Sequence, residues 1–329
     1  MIFILRVWNR TLGRKCQWLS AEHFRPIAKL WAKEIDANPI IEDCDYLFFL
    51  GGAQITPYMR VKKPVIYFSD ATVHVMMDYY WHNINKMSQR MAMELETAAC
   101  QNAIINIRSS QWAVDSVIKD CHVPESRCHV LEFGPNLDAK DIKRSQPYDG
   151  GELRLLFSGV DWNRKGGDIA VEIVEILRNK GMDARLMVAG PRTQPKSCEG
   201  KPYIEYVGYL NKNDDEQYHR YLELYEKAHV FLLPTRAECS ATVYAEAATA
   251  GLPCYTYLTG GVGNYVINGM NGRALPEGAP AHDFAEQIIH DIQTGDLASF
   301  MEGATKLSRE KLNWEVWRRK WLRVMENDN

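Results

Sequence analysis

Short apolar runs alternate along this chain with longer segments in which apolar residues recur at helical spacing. In the first part, this pattern predicts strands at 45–50, 64–68, 103–107 and 128–133, and helices at 21–35, 73–99 and 110–119. A polar stretch at 138–152 interrupts the alternation and predicts a linker. Beyond it, strands are predicted at 153–157, 184–189, 203–207, 230–233 and 254–257, and helices at 168–180, 214–228, 240–250 and in the remaining chain. Strands that alternate with helices in this way indicate βαβ units and parallel sheets.

The strand predicted at 230–233 leads directly into an alanine-rich helix, and two glutamates lie near this junction. Strand ends in a parallel sheet border the crevice where ligands bind, and a helix N-terminus attracts anions. Glu238 precedes the helix, and Glu246 lies about two turns further on. Because carboxylates accept hydrogen bonds from sugar hydroxyls, the segment predicts a nucleotide-sugar pocket. Solvated helix charges are the simpler interpretation of two glutamates taken alone.

A glycine-rich segment follows the strand predicted at 153–157. It contains Gly159 and the sequence Arg164-Lys165-Gly166-Gly167. Such a segment suits a diphosphate, because glycine lets the backbone approach and the cations neutralise the charge. An Arg-Lys pair in a loop is more often simply solvated, so the prediction depends on this loop lying beside Glu238. A further glycine-rich loop at 259–265 is predicted to border the same pocket, whereas 268–273 is interpreted as a structural turn.

The composition limits the class of protein. The chain has 329 residues, 46% of them hydrophobic, and a formal charge of −3, which is enough length for two domains and gives no support to nucleic-acid binding. No apolar run reaches the length of a transmembrane helix. Residues 1–36 are basic and aromatic, so the helix at 21–35 could lie on an anionic membrane surface. The simpler alternative is a helix that covers the sheet with its basic side chains outward.

Eight cysteines are scattered along the chain without the spacing of a disulfide framework, which indicates reduced thiols in a cytoplasmic protein. Cys121-His122 and Cys128-His129 together suggest zinc ligands. Because no CxxC pair accompanies them, a turn between a helix and a strand accounts for them better, and no metal site is predicted.

Residues 153–280 resemble the donor domain of the retaining nucleotide-sugar glycosyltransferases of family 4, the group 1 type with the GT-B fold. Four segments carry the resemblance: strand–Gly–Arg-Lys-Gly-Gly–helix at 153–180, the loop Val207 to Leu210, the Glu-x7-Glu of Glu238 and Glu246, and Gly260-Gly261 with Asn271-Gly272. The first half is less similar, and matches mainly at Ser109-Ser110 and at Phe133 to Asn136. The helix that begins near Asn313-Trp314 resembles the family's last helix.

The resemblance implies an α/β protein of the GT-B fold, with two Rossmann-like parallel-sheet domains facing a cleft. We expect an N-terminal domain at 1–145, which lies on the acceptor side and looks shortened. A donor domain is expected at 146–305, followed by a helix at 306–329 that crosses back to the first domain. It further implies transfer of a sugar from a nucleotide diphosphate sugar to a hydroxyl of a glycan or lipid-linked acceptor, with retention of configuration and without a metal or other cofactor. The implied setting is polysaccharide biosynthesis in the cytoplasm, with peripheral membrane contact through the basic N-terminal segment as an open alternative.

The matched motif positions give the expected site residues. Arg164 and Lys165 are expected to stabilise the departing diphosphate, Glu238 to hold the donor sugar, and Glu246 to hold the ribose hydroxyls. The remaining donor-binding residues expected from the resemblance are Gly159, Gly190, Pro191, Gly208, Tyr209, Leu210, Ser240, Ala241 and Thr242.

The first half departs from the family pattern. The family often carries a histidine after the strand that matches 64–68, where this chain has Asp70 as the positional candidate and His74 as the alternative. A structural Asp70 that caps the helix at 73–99 is an equally good account. The family's opening strand and glycine-rich loop would fall at 1–7 and 9–14, where no diglycine is found. This departure motivates an alternative function, a non-catalytic nucleotide-sugar-binding partner subunit; another GT-B enzyme, such as an epimerase or a phosphorylase, is a third.

Overall fold

The computed structural model describes residues 17–240 and 242–327, which form two compact units that divide between Leu131 and Glu132. Each unit contains its own parallel sheet, as the alternating pattern predicts. The predictions that fall on residues 1–16, including the strand at 1–7 and the loop at 9–14, lie outside the described residues.

The first unit is built on a four-stranded parallel sheet in the order β1-β2-β3-β4. Its strands are β1 (Leu47–Leu50), β2 (Val65–Ser69), β3 (Ile105–Arg108) and β4 (Cys128–Val130). Its helices are α1 (Arg25–Asp36), α2 (Ile40–Asp43), α3 (Val73–Met76), α4 (Lys86–Asn102) and α5 (Gln111–Lys119). All four strands and the helices over 21–35 and 110–119 were predicted by the pattern within a few residues of these bounds.

The prediction of a single helix over 73–99 is wrong. The helix ends at Met76 and resumes at Lys86. Between these residues Asp78 and Asn83 adopt φ values of +57° and +58°, which a right-handed helix does not contain. The side chain of Asn85 then accepts hydrogen bonds from two backbone N–H groups and caps the second helix.

Helix α1 packs its apolar face inward. Ile27, Ala28 and Ala32 are buried, whereas Arg25 is exposed and pairs with Glu94. In the described part of the basic segment, the apolar face of the helix is therefore buried and Arg25 points outward.

The second unit is built on a six-stranded parallel sheet in the order β10-β9-β8-β5-β6-β7. Its strands are β5 (Leu153–Ser158), β6 (Ala184–Ala189), β7 (Ile204–Gly208), β8 (Val230–Leu233), β9 (Cys254–Tyr257) and β10 (Gly272–Leu275). Its helices are α6 (Gly167–Asn179), α7 (Asp215–Lys227), α8 (Thr242–Thr249), α9 (Ala281–Thr294), α10 (Asp296–Glu310) and α11 (Trp314–Asn327). The sequence predicted a turn at 268–273 and no strand after it, so the prediction missed strand β10.

The order of the six strands creates a switch point in the middle of the sheet. Strand β5 lies between β6 and β8, so the chain leaves β5 toward one edge and leaves β8 toward the other. At such a switch point the connections run toward opposite edges, and a crevice lies at the carboxyl end of the sheet. In open parallel sheets this crevice is the usual place for a ligand.

Helix α11 forms a hydrogen bond and an ion pair with residues at the start of the second unit. The indole N–H of Trp314 donates to the carbonyl of Pro135 at 2.8 Å, and Lys320 pairs with the buried Glu132 at 2.6 Å. Within the described residues, no helix combines the length and the apolar character needed to cross a membrane. The seven cysteines in this part of the chain are free thiols.

The stability of the second unit is expected to fall as the pH drops below about 7, because His229 is buried as a neutral ring. His229 is 3% exposed, and Arg154 presents its backbone N–H 3.1 Å from Nδ1 and its guanidinium 2.9 Å from Nε2. Burial, reinforced by the charge of Arg154, lowers the pKa of His229 to about 4. The unfolded chain, with a pKa of about 6.5, binds a proton in this window that the folded chain does not, so acidification favours unfolding.

We expect this group to remove roughly 2 kcal/mol of stability between pH 7.5 and pH 5. The measurement is the melting temperature of the wild type and of His229→Gln across that range. The variant should show the shallower decline, and parallel declines in the two proteins would contradict the assignment.

Candidate functional site

The loop after β5 and the loop after β8 lie side by side at the switch point. The N–H of Arg236 donates to the carbonyl of Arg164 at 2.8 Å, and the hydroxyl of Thr235 reaches the same carbonyl at 3.3 Å. Gly166 has a φ of +74°, and a Cβ at this position would overlap the carbonyl oxygen of Pro234. Glycine is therefore required for the two loops to touch.

This contact brings Lys165 and Glu238 together in an ion pair. Lys165 is 9% exposed and Glu238 is 6% exposed, and the ammonium donates to Oε2 of the carboxylate. The guanidinium of Arg164 lies 3.7 Å from the same oxygen and donates to the carbonyl of Ala237 at 2.9 Å. Two cations thus share one buried carboxylate, and Arg164 also lies 3.5 Å from the exposed Asp161.

Two glycines shape the space beside this pair. A Cβ at Gly159 would lie 2.8 Å from Cγ of Lys165, so the bare backbone leaves room for the lysine stem. Gly190, at the end of β6, has a φ of +115°, and a Cβ there would lie 2.5 Å from the backbone of Gly159. Only residues without side chains permit this approach, and it brings the ends of β5 and β6 together beside Lys165.

A cavity of about 550 Å³ opens at this point, entirely within the second unit. Its lining includes Gly159, Arg164, Lys165, Gly190, Tyr209 and Leu210, together with Lys212, Tyr221 and Val243. Six residues expected from the sequence therefore border one cavity. Glu238 does not line the cavity itself but pairs with Lys165, which does.

The far side of the cavity is formed by the loops after β6 and β7. The N–H of Gly190 donates to the carbonyl of Gly208 at 2.9 Å, and the hydroxyl of Tyr206 donates to the carbonyl of Pro191 at 2.9 Å. Tyr209 is 42% exposed, with the guanidinium of Arg192 stacked 4.1 Å from its ring centre. A flat, half-exposed aromatic ring of this kind suits stacking on a nucleobase.

Glu246 is fully buried in α8 and is held by three side chains. Its Oε2 accepts from the hydroxyls of Tyr221 at 3.1 Å and Tyr225 at 2.7 Å, and its Oε1 accepts from Lys212 at 2.8 Å. Burial and the nearby carboxylate charge raise the pKa of both tyrosines well above the usual value. Glu246 thus accepts three hydrogen bonds, and its neighbours Lys212 and Tyr221 line the cavity.

The first turn of α8 begins at Thr242, one helical turn before Glu246. Ser240 is half-buried just ahead of it, and Val243 lines the cavity. The prediction at Ala241 lies outside the described residues.

Asp70 and His74 belong to the first unit, whereas the residues that line the cavity belong to the second. Asp70 is exposed after β2 and its carbonyl accepts from Ser109 at 3.3 Å. The account of Asp70 as a helix cap is wrong, because the side chain of Thr72 caps α3 instead. His74 is half-buried, with Nδ1 3.7 Å from the sulfur of Cys121. Burial opposes protonation of His74, but the interaction with Cys121 outweighs it and raises the histidine pKa.

A diglycine in the first unit follows β1. Gly51 and Gly52 both have a φ of +70°, and no atom lies within 4 Å of the position a Cβ would take at either. Glycine is favoured at both positions because of the positive φ, and the same combination occurs at turn glycines such as Gly181 and Gly200. In the sequence, this pair could have been identified as a strand-end loop because it directly follows the predicted strand at 45–50.

One group of side chains in the described part of the second unit could hold a metal ion, and it does not line the cavity. Among the described residues, His290, Asp291 and Asp296 are the group whose ligand atoms come within 4.8 Å of one another. Asp291 already accepts from Arg273 and from the hydroxyl of Tyr255 at 2.8 Å. The two Cys-His pairs at 121–122 and 128–129 do not form such a group in the described structure.

Three functional candidates were not found by sequence reasoning: Lys212, Tyr221 and Tyr225. The two tyrosines are four residues apart in α7, which places them on one face of the helix. That spacing was visible in the sequence, whereas their shared contact with Glu246 depends on how α7 and α8 pack.

The part of the chain that contains most of the cavity lining resembles known glycosyltransferases. Residues 152–293 match the profile of the family described as Glycosyl transferases group 1. An uncharacterised glycosyltransferase of Methanocaldococcus jannaschii is 23% identical over 181 residues. This match covers 51% of the present chain and 49% of the relative, so it spans about half the length of the relative.

Solved structures resemble nearly the whole chain. Sucrose-phosphate synthase from Thermosynechococcus elongatus is similar with a TM-score of 0.70 and 16% identity, over 94% of this chain and 80% of that one. The Anabaena HepE protein in complex with UDP is similar with a TM-score of 0.68 and 14% identity, over 92% of this chain and 82% of that one. HepE has also been solved with UDP-glucose. The chain therefore has the GT-B fold, with two parallel-sheet α/β domains.

Proposed function

We propose that the chain is a glycosyltransferase that moves a sugar from a nucleotide diphosphate sugar to a hydroxyl of a glycan or lipid-linked acceptor, with retention of configuration. The observation that carries this proposal is the buried ion pair of Glu238 with Lys165, which together with Arg164 lines a cavity at the sheet's switch point. The match of residues 152–293 to the group 1 glycosyltransferases supports it. UDP is the proposed nucleotide, because HepE binds UDP and UDP-glucose in the same fold.

The chemical difficulty in this reaction is the departure of the diphosphate from the anomeric carbon. As that bond breaks, negative charge develops on the departing oxygen, and Arg164 and Lys165 are fixed where they stabilise it. Because these cations are supplied by the protein, the proposed reaction does not use a metal ion. Glu238 would accept hydrogen bonds from the donor sugar hydroxyls, and its negative charge holds Lys165 in place.

The acceptor is proposed to bind at the N-terminal domain. Asp70, exposed at the end of β2, is the proposed group that receives the hydroxyl proton, with His74 as the alternative. The proposed domain organisation is 1–145 on the acceptor side, 146–305 on the donor side, and a C-terminal helix that crosses back to the first domain. A cytoplasmic enzyme of polysaccharide biosynthesis, with peripheral membrane contact through its basic N-terminal segment, is the proposed setting.

The test is calorimetry with UDP, GDP and ADP, followed by assay of UDP release from UDP-glucose and other UDP-sugars. The proposal predicts that UDP binds most tightly and that a UDP-sugar is turned over when an acceptor is supplied. Binding of a nucleotide diphosphate without turnover of any sugar donor would favour the non-catalytic partner subunit. Absence of binding to all three nucleotides would contradict both functions.

A further inference from the structure

Two cysteines of the first unit lie next to each other in its core. Cys100 is in the last turn of α4, and Cys121 follows the end of α5. Both side chains are fully buried, and the hydrogen bond between the two thiols is the largest single influence on the pKa of either. The side-chain amide of Gln101 donates to the carbonyl of Cys121 at 3.0 Å, which holds the two segments together. The fold therefore brings two free thiols into contact.

A histidine faces Cys121 as well. Nδ1 of His74 lies 3.7 Å from the sulfur of Cys121, and Nε2 lies 3.4 Å from the hydroxyl of Thr97. The hydrogen bond with Cys100, assisted by the one with His74, outweighs burial and lowers the pKa of Cys121 to about 6. The contact in turn favours the protonated form of His74, against the effect of burial. Cys121 is therefore favoured as a thiolate, which is the nucleophilic form of a cysteine.

Cys100 has the opposite character. Its sulfur accepts from the guanidinium of Arg108 at 3.3 Å, and its thiol donates to Oε1 of Glu96 at 3.7 Å. Arg108 and Glu96 are themselves buried and lie 3.6 Å apart. The interaction with Cys121, together with burial, raises the pKa of Cys100 well above the usual value. Cys100 therefore remains a thiol beside a neighbour that is favoured as a thiolate.

The histidine also borders an open groove of the first unit. This groove has a volume of about 690 Å³ and runs along α4, where His74, Thr97 and Gln101 are among the residues that line it. Cys121 does not line the groove, so the ring of His74 lies between the groove and the buried thiol. Movement of one side chain would admit a small oxidant to Cys121, whereas a bulky reagent would still be excluded.

The arrangement does not suit a shared metal ion. In the part of the chain that the structure describes, the ligand atoms of His74, Cys100 and Cys121 do not form a group within 4.8 Å of one another. The cavity for the proposed sugar donor is lined by residues of the second unit. Two neighbouring thiols, one of them favoured as a thiolate, are instead what disulfide formation requires.

We propose that Cys100 and Cys121 form a disulfide when the protein meets hydrogen peroxide, with Cys121 as the attacking sulfur and Cys100 as the sulfur that resolves the product. This oxidation site lies in the first unit, and the inference does not depend on the proposed function.

The reaction has two steps. The thiolate of Cys121 attacks one peroxide oxygen, the O–O bond breaks, and the departing hydroxide takes the proton of the His74 imidazolium and leaves as water. The sulfur of Cys100 then attacks the sulfenic acid on Cys121, the S–O bond breaks, and the thiol proton leaves with the hydroxyl group as a second water. Each sulfur loses one electron, and one peroxide is reduced to two waters.

Oxidation would also change the state of His74. Burial of this ring favours the neutral form, and the interaction with Cys121 is the largest effect that opposes it. Once the sulfur is in a disulfide it carries no negative charge, so the pKa of His74 should fall. The oxidised first unit should therefore favour a neutral imidazole at a position where the reduced unit favours an imidazolium.

The test is peptide mapping of the wild-type chain. Reduced protein is treated with hydrogen peroxide, the remaining thiols are blocked with N-ethylmaleimide in denaturant, and a tryptic digest is analysed by mass spectrometry without reductant. Trypsin separates the two cysteines because Arg108 and Lys119 lie between them, and cleavage at Arg127 separates Cys128. We expect a linked pair of peptides, lighter than their sum by two hydrogens, before any other cysteine is modified.

Cys128 provides the matched comparison. It is half-buried, so it is more accessible than Cys121, but burial raises its pKa to about 11. If accessibility alone decided reactivity, Cys128 would be oxidised first. Cys128→Ser should form the link at the wild-type rate. Cys100→Ser should form no link and should accumulate a sulfenic acid at Cys121, which dimedone detects.

Two measurements test the role of His74. His74→Gln should form the link roughly tenfold more slowly, because a rise of one unit in the thiol pKa lowers the thiolate fraction by up to that factor. In an NMR titration, the midpoint of His74 should fall when the wild type is oxidised. The same peroxide treatment should leave that midpoint unchanged in Cys121→Ser.

Two results would overturn the inference. The first is that Cys100 and Cys121 are both recovered as N-ethylmaleimide adducts while other cysteines have been oxidised. The second is a link that forms between other cysteines in place of this pair. Failure of the wild type to bind UDP, GDP or ADP concerns the proposed function alone and leaves this inference unaffected.

Discussion

Lys165→Met is expected to lower turnover roughly 10²–10³-fold in a protein that remains folded, because it removes the buried cation that we propose stabilises the departing diphosphate. The substitution preserves the length of the side chain that packs against Gly159. It also leaves Glu238 with the guanidinium of Arg164 at 3.7 Å as its remaining cationic partner among the contacts described above. Removing one member of a buried pair can cost about 3–5 kcal/mol of stability, so we expect a lower melting temperature as well.

The measurements are initial rates of UDP release and the melting temperature of the same samples. Lys180→Met is a matched control, because Lys180 forms a surface ion pair with Glu286 and lies in the same unit. The control should retain wild-type rates. Near-normal turnover by a folded Lys165→Met variant would show that this lysine has no role in the donor site.

Glu238→Gln is expected to lower turnover by a similar factor, on the order of 10²–10³, since the amide loses the charge that holds Lys165 and accepts hydrogen bonds from the sugar less strongly. The side chain is nearly isosteric, but the change leaves the buried Lys165 without its carboxylate, so a lower melting temperature is expected here as well. Glu205→Gln, at an exposed position in β7, is the matched control and should leave the rate unchanged.

The double variant Lys165→Met/Glu238→Gln tests whether the two residues act as a unit. Residues that share one interaction give effects that do not add, so the double variant should be little worse than either single variant. Losses that multiply fully would mean that the two side chains act independently, and would contradict the role of Glu238 in holding Lys165.

The parallel sheets and the meeting of Lys165 with Glu238 could be predicted from the sequence. Both residues follow short apolar runs that end in glycine, proline or polar residues, and carboxyl ends of parallel strands share one edge of a sheet. Three glycines also pointed to this site: Gly166 and Gly190 are needed where two backbone segments touch, and Gly159 leaves room for the stem of Lys165. Local pattern and topology together were sufficient for this part of the site.

The features that escaped prediction depend on contacts between distant parts of the chain. The break between α3 and α4 requires positive φ at Asp78 and Asn83, which short polar residues permit but do not dictate. Strand β10 has only four residues and contains Arg273, so its apolar pattern is weak. Lys212 reaches Glu246 from 34 residues away, and no spacing rule links a loop lysine to a helix glutamate at that separation.

The position of bound UDP in a crystal of the full chain tests the central claim most directly. The account predicts the phosphates within hydrogen-bond distance of Arg164 or Lys165, in the cavity between the ends of β5 and β8. Nucleotide bound at a different face of the second unit, with this cavity left unoccupied, would contradict it.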